Sequence, residues 1–369
     1  MPPPIGGPGP ADAQRNTMKA FFSEEQLLHT PQQFMRLGRI STPTDLPSRA
    51  HSLQGALAAR GIAVQAPPDF GRQPLEGIHS ADYLDYLETA FARWQALKAP
   101  GVDPGPEVLP NLSPYYSGRI ESAGRGPCPS PSIVAQTGYY LSDLSCPIGP
   151  HTWRSALRST HSAVAAAEHV AATGETAYAL CRPSGHHAHR DRAGGFCYLN
   201  SSAAAAARLL QTWAKVAVLD VDAHHGDGTQ NIFYQRADVM TVSLHADPTG
   251  YYPFYTGYAH ERGHGAGAGC NLNLPLAHGS DSDPFLRALD SALAALAGYG
   301  PQALVLALGF DTYKDDPISV LRLDIDAYRD IGARVASLGV PTVVVQEGGY
   351  MVQAIGPALD AFLQGLDRA

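Results

Sequence analysis

Five short apolar runs, at 177–181, 216–222, 239–245, 303–310 and 341–347, are separated by amphipathic or alanine-rich stretches, and this alternation restricts the chain more than any other feature. Runs of this length read as strands buried on both faces, and the stretches between them as the crossover helices that parallel strands need. A further strand is expected at 19–22, and helices at 49–60, 81–97, 152–172, 201–212, 283–297, 324–338 and 355–366. The expectation is an α/β fold in a single domain, with a mainly parallel multi-stranded sheet flanked by helices. At 369 residues the chain is large for one domain, but folds of this kind reach that size.

Residues 1–17, MPPPIGGPGPADAQRNT, hold little that could be buried and are expected to form a disordered extension, so the folded domain is placed at 18–369. Between 100 and 150 the chain is rich in Pro, Gly and Ser without sustained periodicity, which predicts a long loop; loops of that length are usually functional. A net charge of −8 with no basic stripe argues against a nucleic-acid partner. No apolar run is long enough to span a bilayer, and the opening lacks the basic start and apolar middle of an export signal, so no membrane partner is expected. The five cysteines show no C-x-x-C pairing, which fits free thiols in a reducing compartment and a cytoplasmic location.

The chemistry concentrates where the strand readings end. In LDVDAHHGDGTQ, Asp220 and Asp222 interrupt an apolar strand, where desolvation would neutralise them unless a cation or hydrogen-bond donors hold them ionised. On a strand, Asp222 and His224 would point the same way and aim at one ion. Asp311, after the apolar run in ALVLALGFDTYKDDP, meets the need for a third ligand and leaves a coordination position open. A single acid of this kind is as often a loop cap as a ligand. By residue type the ion would be Zn2+, with Fe2+, Co2+ and Mn2+ as alternatives.

The tandem His186 and His187 in RPSGHHAH offer a general base and a general acid. Asp220 and Asp227, not needed as ligands, could orient their ring nitrogens, and His225 is read as structural. EGGY places the Tyr350 hydroxyl where it could meet an oxyanion, although alone it reads as a glycine turn followed by a packed ring. Phe196 and Tyr252 read equally as core aromatics or as the walls of a narrow apolar tunnel.

Taken together, RPSGHHAHRDRAGGFCYLN, LDVDAHHGDGTQNIFY, TVSLHADP, LGFDTYKDDP and QEGGY resemble the histone deacetylase family, within the arginase/deacetylase fold. The similarity runs from about Met18 to the C-terminus, and FFSEEQ, QTGYY and GPHTW are most similar to its bacterial acetylpolyamine amidohydrolase branch. The resemblance implies one zinc on Asp222, His224 and Asp311, with His187 as principal base and then acid. It pairs His186 with Asp220 as an electrostatic aid, pairs His187 with Asp227, and makes Tyr350 the oxyanion donor. Gly195, Phe196 and Tyr252 would line the acyl-lysine-like channel. A monovalent cation, K+ or Na+, is implied at Asp220, Asp222, His224, Ser243 and Leu244, and a second around Phe233 and Val239. Binuclear arginase-like chemistry would need carboxylates where Tyr313 and Gly226 stand.

Polyamine-processing relatives carry acidic residues where this chain has Val134 and Ser145, and Arg190 and Arg192 would make the rim less welcoming to a polycation. The expected substrate is therefore a small neutral or aromatic N-acyl amide, of the kind represented in the family by dimethoate and anilides. The alternatives are an acetylpolyamine and acetyl-lysine on protein. A non-catalytic binding module would be marked by loss of a ligand, a histidine or the tyrosine, and none is lost. The 100–150 loop is expected at the interface of a homodimer or higher homo-oligomer.

Overall fold

A computed structural model describes residues 18–36, 38–97, 103–111 and 126–367. The extension expected at 1–17 and the middle of the 100–150 loop lie outside the described residues. In chain order the strands are β1 (Lys19–Phe21), β2 (Phe34–Arg36), β3 (Arg39–Ser41), β4 (Val64–Gln65), β5 (Ala177–Ala179), β6 (Val216–Asp220), β7 (Val239–Ala246), β8 (Asn271–Leu276), β9 (Ala303–Leu308) and β10 (Thr342–Gln346). The α-helices are α1 (Pro47–Ala59), α2 (Ala81–Gln95), α3 (Ile133–Tyr140), α4 (Thr152–Thr173), α5 (Ser201–Leu209), α6 (Asp227–Phe233), α7 (Ser282–Tyr299), α8 (Ile325–Ala336) and α9 (Val352–Leu366).

Eight strands make one sheet in the order β4-β1-β5-β10-β9-β6-β7-β8, and every neighbouring pair is parallel. The sheet is buried on both faces because its strands carry apolar side chains to both sides. Ala217 and Leu219 of β6 join the core layer under α1, α7, α8 and α9, while Val216 and Val218 join the layer under α4 and α5. Burying one such Val or Leu is worth about 1.5–3 kcal/mol, so these alternating rows fix the register of the central strands. A third cluster, with Tyr83 and Trp94 of α2 against Tyr140 and Ile148, anchors the chain around α3.

The apolar runs outlast the ladders. β5, β6, β9 and β10 each stop short of the expected end, because the chain leaves the sheet while still buried. Asp222 therefore lies beyond β6, not within it. The sequence reading missed β8, whose NLNLPL alternates Asn with Leu and contains Pro275; an edge strand tolerates a proline that an inner one would not. It also missed β2, β3, β4 and α6, and it missed α3, a helix inside the stretch read as loop.

Candidate metal centre and catalytic pocket

The central strands deliver the acids to one place. Asp220, the last residue of β6, pairs in register with Ala307 of β9, and Leu308 pairs with Gln346 of β10, so the three chains leave the sheet side by side. Asp222 and His224 then converge through successive aspartate turns: the Asp222 amide donates to Asp220 Oδ1 at 3.0 Å, and the His224 amide to Asp222 Oδ1 at 2.9 Å. Strand alternation, the geometry expected from the spacing, is not what aligns them. Asp311 Oδ1 accepts from the Ala223 amide at 2.9 Å, and Asp222 Oδ2 from the Gly348 amide at 2.8 Å. His224 Nδ1 lies 3.2 Å from Asp222 Oδ1 and 2.9 Å from Asp311 Oδ2.

This trio fits a metal ion. Its ligating atoms lie within 4.8 Å of one another, and both carboxylates are fully buried. Burial and the charge of Asp222 push Asp311 up to about 7, while the two carboxylates override burial and raise His224 to about 9. Two buried carboxylates around one imidazole carry surplus negative charge, which a cation would balance. The backbone leaves room only for the ligands: a Cβ at Gly309 would stand 2.1 Å from Asp222 Oδ2, and one at Gly348 would stand 2.5 Å from oxygens of both Asp222 and Asp311. The residues expected to hold a monovalent cation are also neighbours, because the β6–β7 register sets Ser243 beside Asp220, with Leu244 next along β7. Phe233 ends α6 and Val239 opens β7.

His186 and His187 sit above this floor with ring centroids 4.0 Å apart. His186 Nδ1 is 2.9 Å from Asp220 Oδ2, and His187 Nδ1 is 2.7 Å from Asp227 Oδ1. Their environments differ. Burial opposes charge on His186, yet Asp220 and Asp222 override it and raise its pKa well above that of ordinary imidazole. Burial, helped by His186, pushes His187 down to about 4. The two neighbouring rings are thus pushed in opposite directions, His186 toward its charged form and His187 toward its neutral one. His225 is buried against Gln230 and Thr256, as the structural reading expected.

Three carboxylates that the sequence reading did not single out support these groups. Glu347 is buried and accepts from the Gly185 and His186 amides and from Ser202 Oγ, at 2.7, 3.1 and 2.8 Å. Asp316 Oδ2 accepts from the Tyr350 and Met351 amides at 2.6 and 3.0 Å and so fixes the turn that carries the phenol. Burial raises the Tyr350 hydroxyl well above its ordinary range against the pull of Arg49, whose guanidinium lies 4.6 Å from the ring centroid, so the phenol is a donor at neutral pH. Asp143 organises the wall. Its Oδ2 accepts from Tyr252 OH at 2.8 Å and from the Gly195 amide at 3.0 Å, and its Oδ1 accepts from the amide and hydroxyl of Ser145.

Of these groups His187, His224, Asp227, Tyr350, Asp143 and Tyr252 line a cavity of about 720 Å³, a size suited to a small molecule. Phe196 and Tyr252 are its walls, not distant core aromatics: the Tyr252 ring meets His187 edge-on at 4.9 Å, and Phe196 meets Tyr350 at 5.8 Å. Phe196 adopts φ 69°, a conformation that non-glycine residues rarely take, and its ring packs edge-on against Phe34. Of the two arginines expected at the rim, Arg192 lines the cavity, largely buried with its guanidinium against His189, whereas Arg190 is exposed, bonds the Gly77 carbonyl and is not part of the lining.

A sequence profile described as the histone deacetylase domain matches residues 42–366. The chain belongs to the histone deacetylase family. Acetylpolyamine amidohydrolase 1 of Pseudomonas aeruginosa is 45% identical to it over 354 residues, 95% of this chain and 99% of that protein. An acetylpolyamine amidohydrolase of Burkholderia pseudomallei is 44% identical over 348 residues, 94% of this chain and 98% of that one. The crystal structure of the acetylpolyamine aminohydrolase from Burkholderia pseudomallei superposes with a TM-score of 0.89 at 44% identity, covering 95% and 98% of the two chains. As a member of the histone deacetylase family the protein is a hydrolase acting on amides, and Asp222, His224 and Asp311 are the groups that could hold the metal such chemistry uses.

Proposed function

We propose that this deacetylase-family hydrolase cleaves small N-acetylated amines with a cationic tail, the acetylpolyamine class, using Zn2+ held by Asp222, His224 and Asp311. The observation that carries the choice of amine is Asp143: a carboxylate on the cavity wall whose hydrogen-bond partners among the described residues, Ser145, Gly195 and Tyr252, are all neutral. A cation within about 6 Å of it gains on the order of 1–3 kcal/mol. The neutral-amide expectation rested on Val134 and Ser145 lacking charge and on Arg190 and Arg192; Asp143, two residues before Ser145 and hydrogen-bonded to it, supplies a negative charge, and Arg190 is not in the cavity lining, although Arg192 is. The resemblance to two acetylpolyamine amidohydrolases over nearly their whole length supports the same choice.

The bound metal would supply Lewis acidity toward the scissile carbonyl and toward water. His187 donates its Nδ1 proton to Asp227, which leaves Nε2 free to take a proton from the attacking water and pass it to the departing amine. Tyr350 donates to the oxyanion that forms as water adds to the carbonyl. The positive charge on His186, fixed by Asp220, stabilises the same developing negative charge. The C–N bond then breaks to give acetate and the free amine. A K+ or Na+ ion at the β6–β7 end would be structural.

A homodimer or higher homo-oligomer built on the 100–150 loop belongs to the same reading, although residues 112–125 lie outside those described. No helix among the described residues is long and apolar enough to cross a membrane, and the five cysteines are free, which supports a reducing compartment such as the cytoplasm. The test is turnover of acetylputrescine, an acetyl-lysine peptide, an anilide and an N-methyl amide by zinc-loaded enzyme, with and without chelator. Chelator-sensitive cleavage led by acetylputrescine is expected. Cleavage confined to neutral amides would restore the xenobiotic-amide reading, and no turnover of any substrate would favour a binding module.

A further inference from the structure

Nothing in the chemistry above uses His189, yet it is 3% exposed and tied into the same network. Asp227 divides its two oxygens between two imidazoles: Oδ1 lies 2.7 Å from His187 Nδ1, and Oδ2 lies 2.7 Å from His189 Nε2. On the other side of the His189 ring, Nδ1 is 3.1 Å from Arg192 Nη2. A guanidinium can only donate, so Nδ1 must be the acceptor, and the ring proton therefore sits on Nε2, aimed at Asp227. The local fold sets this arrangement. The His189 amide donates to the Arg192 carbonyl at 2.9 Å and closes a turn that brings the two side chains together. His79 Nε2 accepts from the Asn200 amide, so its Nδ1 proton is the one given to the His189 carbonyl at 2.8 Å. The other charged groups of the turn are Asp191, 3.6 Å from Arg192, and the exposed Arg190, whose guanidinium bonds the Gly77 carbonyl.

We propose that His189 is a positioning residue for His187, and that Arg192 locks His189 in the one tautomer able to serve; the inference rests on the reading of His187 as the base. A carboxylate held at one oxygen can swing about its Cβ–Cγ bond and take the imidazole with it. Held at both, Asp227 keeps His187 Nδ1 in a single direction, and Nε2 faces the cavity in a single pose. The edge-on contact with Tyr252 limits ring tilt but carries no proton, so the hydrogen-bonded aim of His187 depends on Asp227. A displacement of a reacting group by about 1 Å is enough to cost a hundredfold in rate.

Two measurements test this, one of them independent of turnover. Nitrogen NMR of the intact protein with labelled histidine, at neutral pH, is expected to show His189 as a neutral ring protonated at Nε2, and Arg192→Leu to admit the other tautomer. A charged His189, or a proton on Nδ1 in the unmodified protein, would overturn the proposal. With acetylputrescine and zinc-loaded enzyme, His189→Leu is expected to lower kcat by about ten- to a hundredfold while KM stays within about twofold. His189→Gln, whose amide N–H can still reach Asp227, should recover kcat to within about fivefold of the parent enzyme. Equal losses in both variants, or a change in KM with kcat untouched, would mean that His189 only packs. If His189→Leu does not fold, the NMR result on the parent and on Arg192→Leu decides. His187→Ala separates the two claims: turnover retained there defeats the base reading, whereas a dead His187→Ala beside a fully active His189→Leu defeats only the positioning role.

Discussion

The floor and the wall of the cavity are built in opposite ways. The floor consists of charged groups, Asp222, His224 and Asp311, set at the ends of adjacent central strands and tied to backbone amides. The wall is mostly aromatic, carried largely by connecting segments and including Phe196 and Phe254 at positive φ and the half-exposed Asp143, with Arg36 and Arg192 also in the lining. The groups proposed to hold an ion and a proton are placed by the sheet, whose register cannot slip without moving every neighbour. The groups proposed to meet the variable part of a substrate stand mostly on segments that can change without disturbing the sheet. The two halves should therefore fail differently when altered.

The largest failure is expected at the floor. Asp311→Ala should abolish stoichiometric metal binding, read by elemental analysis after dialysis, and lower turnover by at least about a thousandfold. A variant that keeps both metal and rate would remove the floor from the chemistry. Tyr350→Phe should keep the metal and lose about a hundred- to a thousandfold in kcat, because only the oxyanion donor is gone. The pH profile comes next. An imidazole must be neutral to act as a base, and burial holds His187 at about 4, below the ordinary 6.5. A divalent cation nearby would depress it further, so kcat should hold as the pH falls through 6.5 and decline only at lower pH. An acid limb above 6.5 would contradict the electrostatics described for the pair. The smallest effect belongs to the wall: Asp143→Asn should raise KM for acetylputrescine by roughly tenfold and leave an anilide unchanged, a difference of about 1.4 kcal/mol. Equal effects on both substrates would show that Asp143 shapes the cavity without selecting the amine.

The same division governs what the sequence reveals. Inner parallel strands are legible because burial on both faces makes them continuous apolar runs, and an acid at the end of such a run stands out, as Asp222 and Asp311 do. The edge strand β8 is not legible, since its buried Asn271 and Asn273 are satisfied by Glu261 in the preceding loop and by Gln230, 41 and 43 positions away. Glu347 was in view inside QEGGY, but its role depends on amides 161 and 162 positions away, and no local pattern announces them. Asp143 and Asp316 were hidden for the same reason. His189 stands two residues after the His186–His187 pair, and a third histidine in RPSGHHAH carries no mark that it will meet the other side of Asp227. The turn that brings Asp222 to His224 was misread because the spacing suits a strand and a turn equally well.

The strand order also sets a timetable. The last strand made, β10, lies between β5 and β9. Until it emerges from the ribosome, the growing sheet can exist only as two separate pieces, β4-β1-β5 and β9-β6-β7-β8, with the histidine pair following one and the aspartates of the floor following the other. The hydrolytic centre cannot assemble progressively during synthesis; it comes into being when the final strand closes the gap.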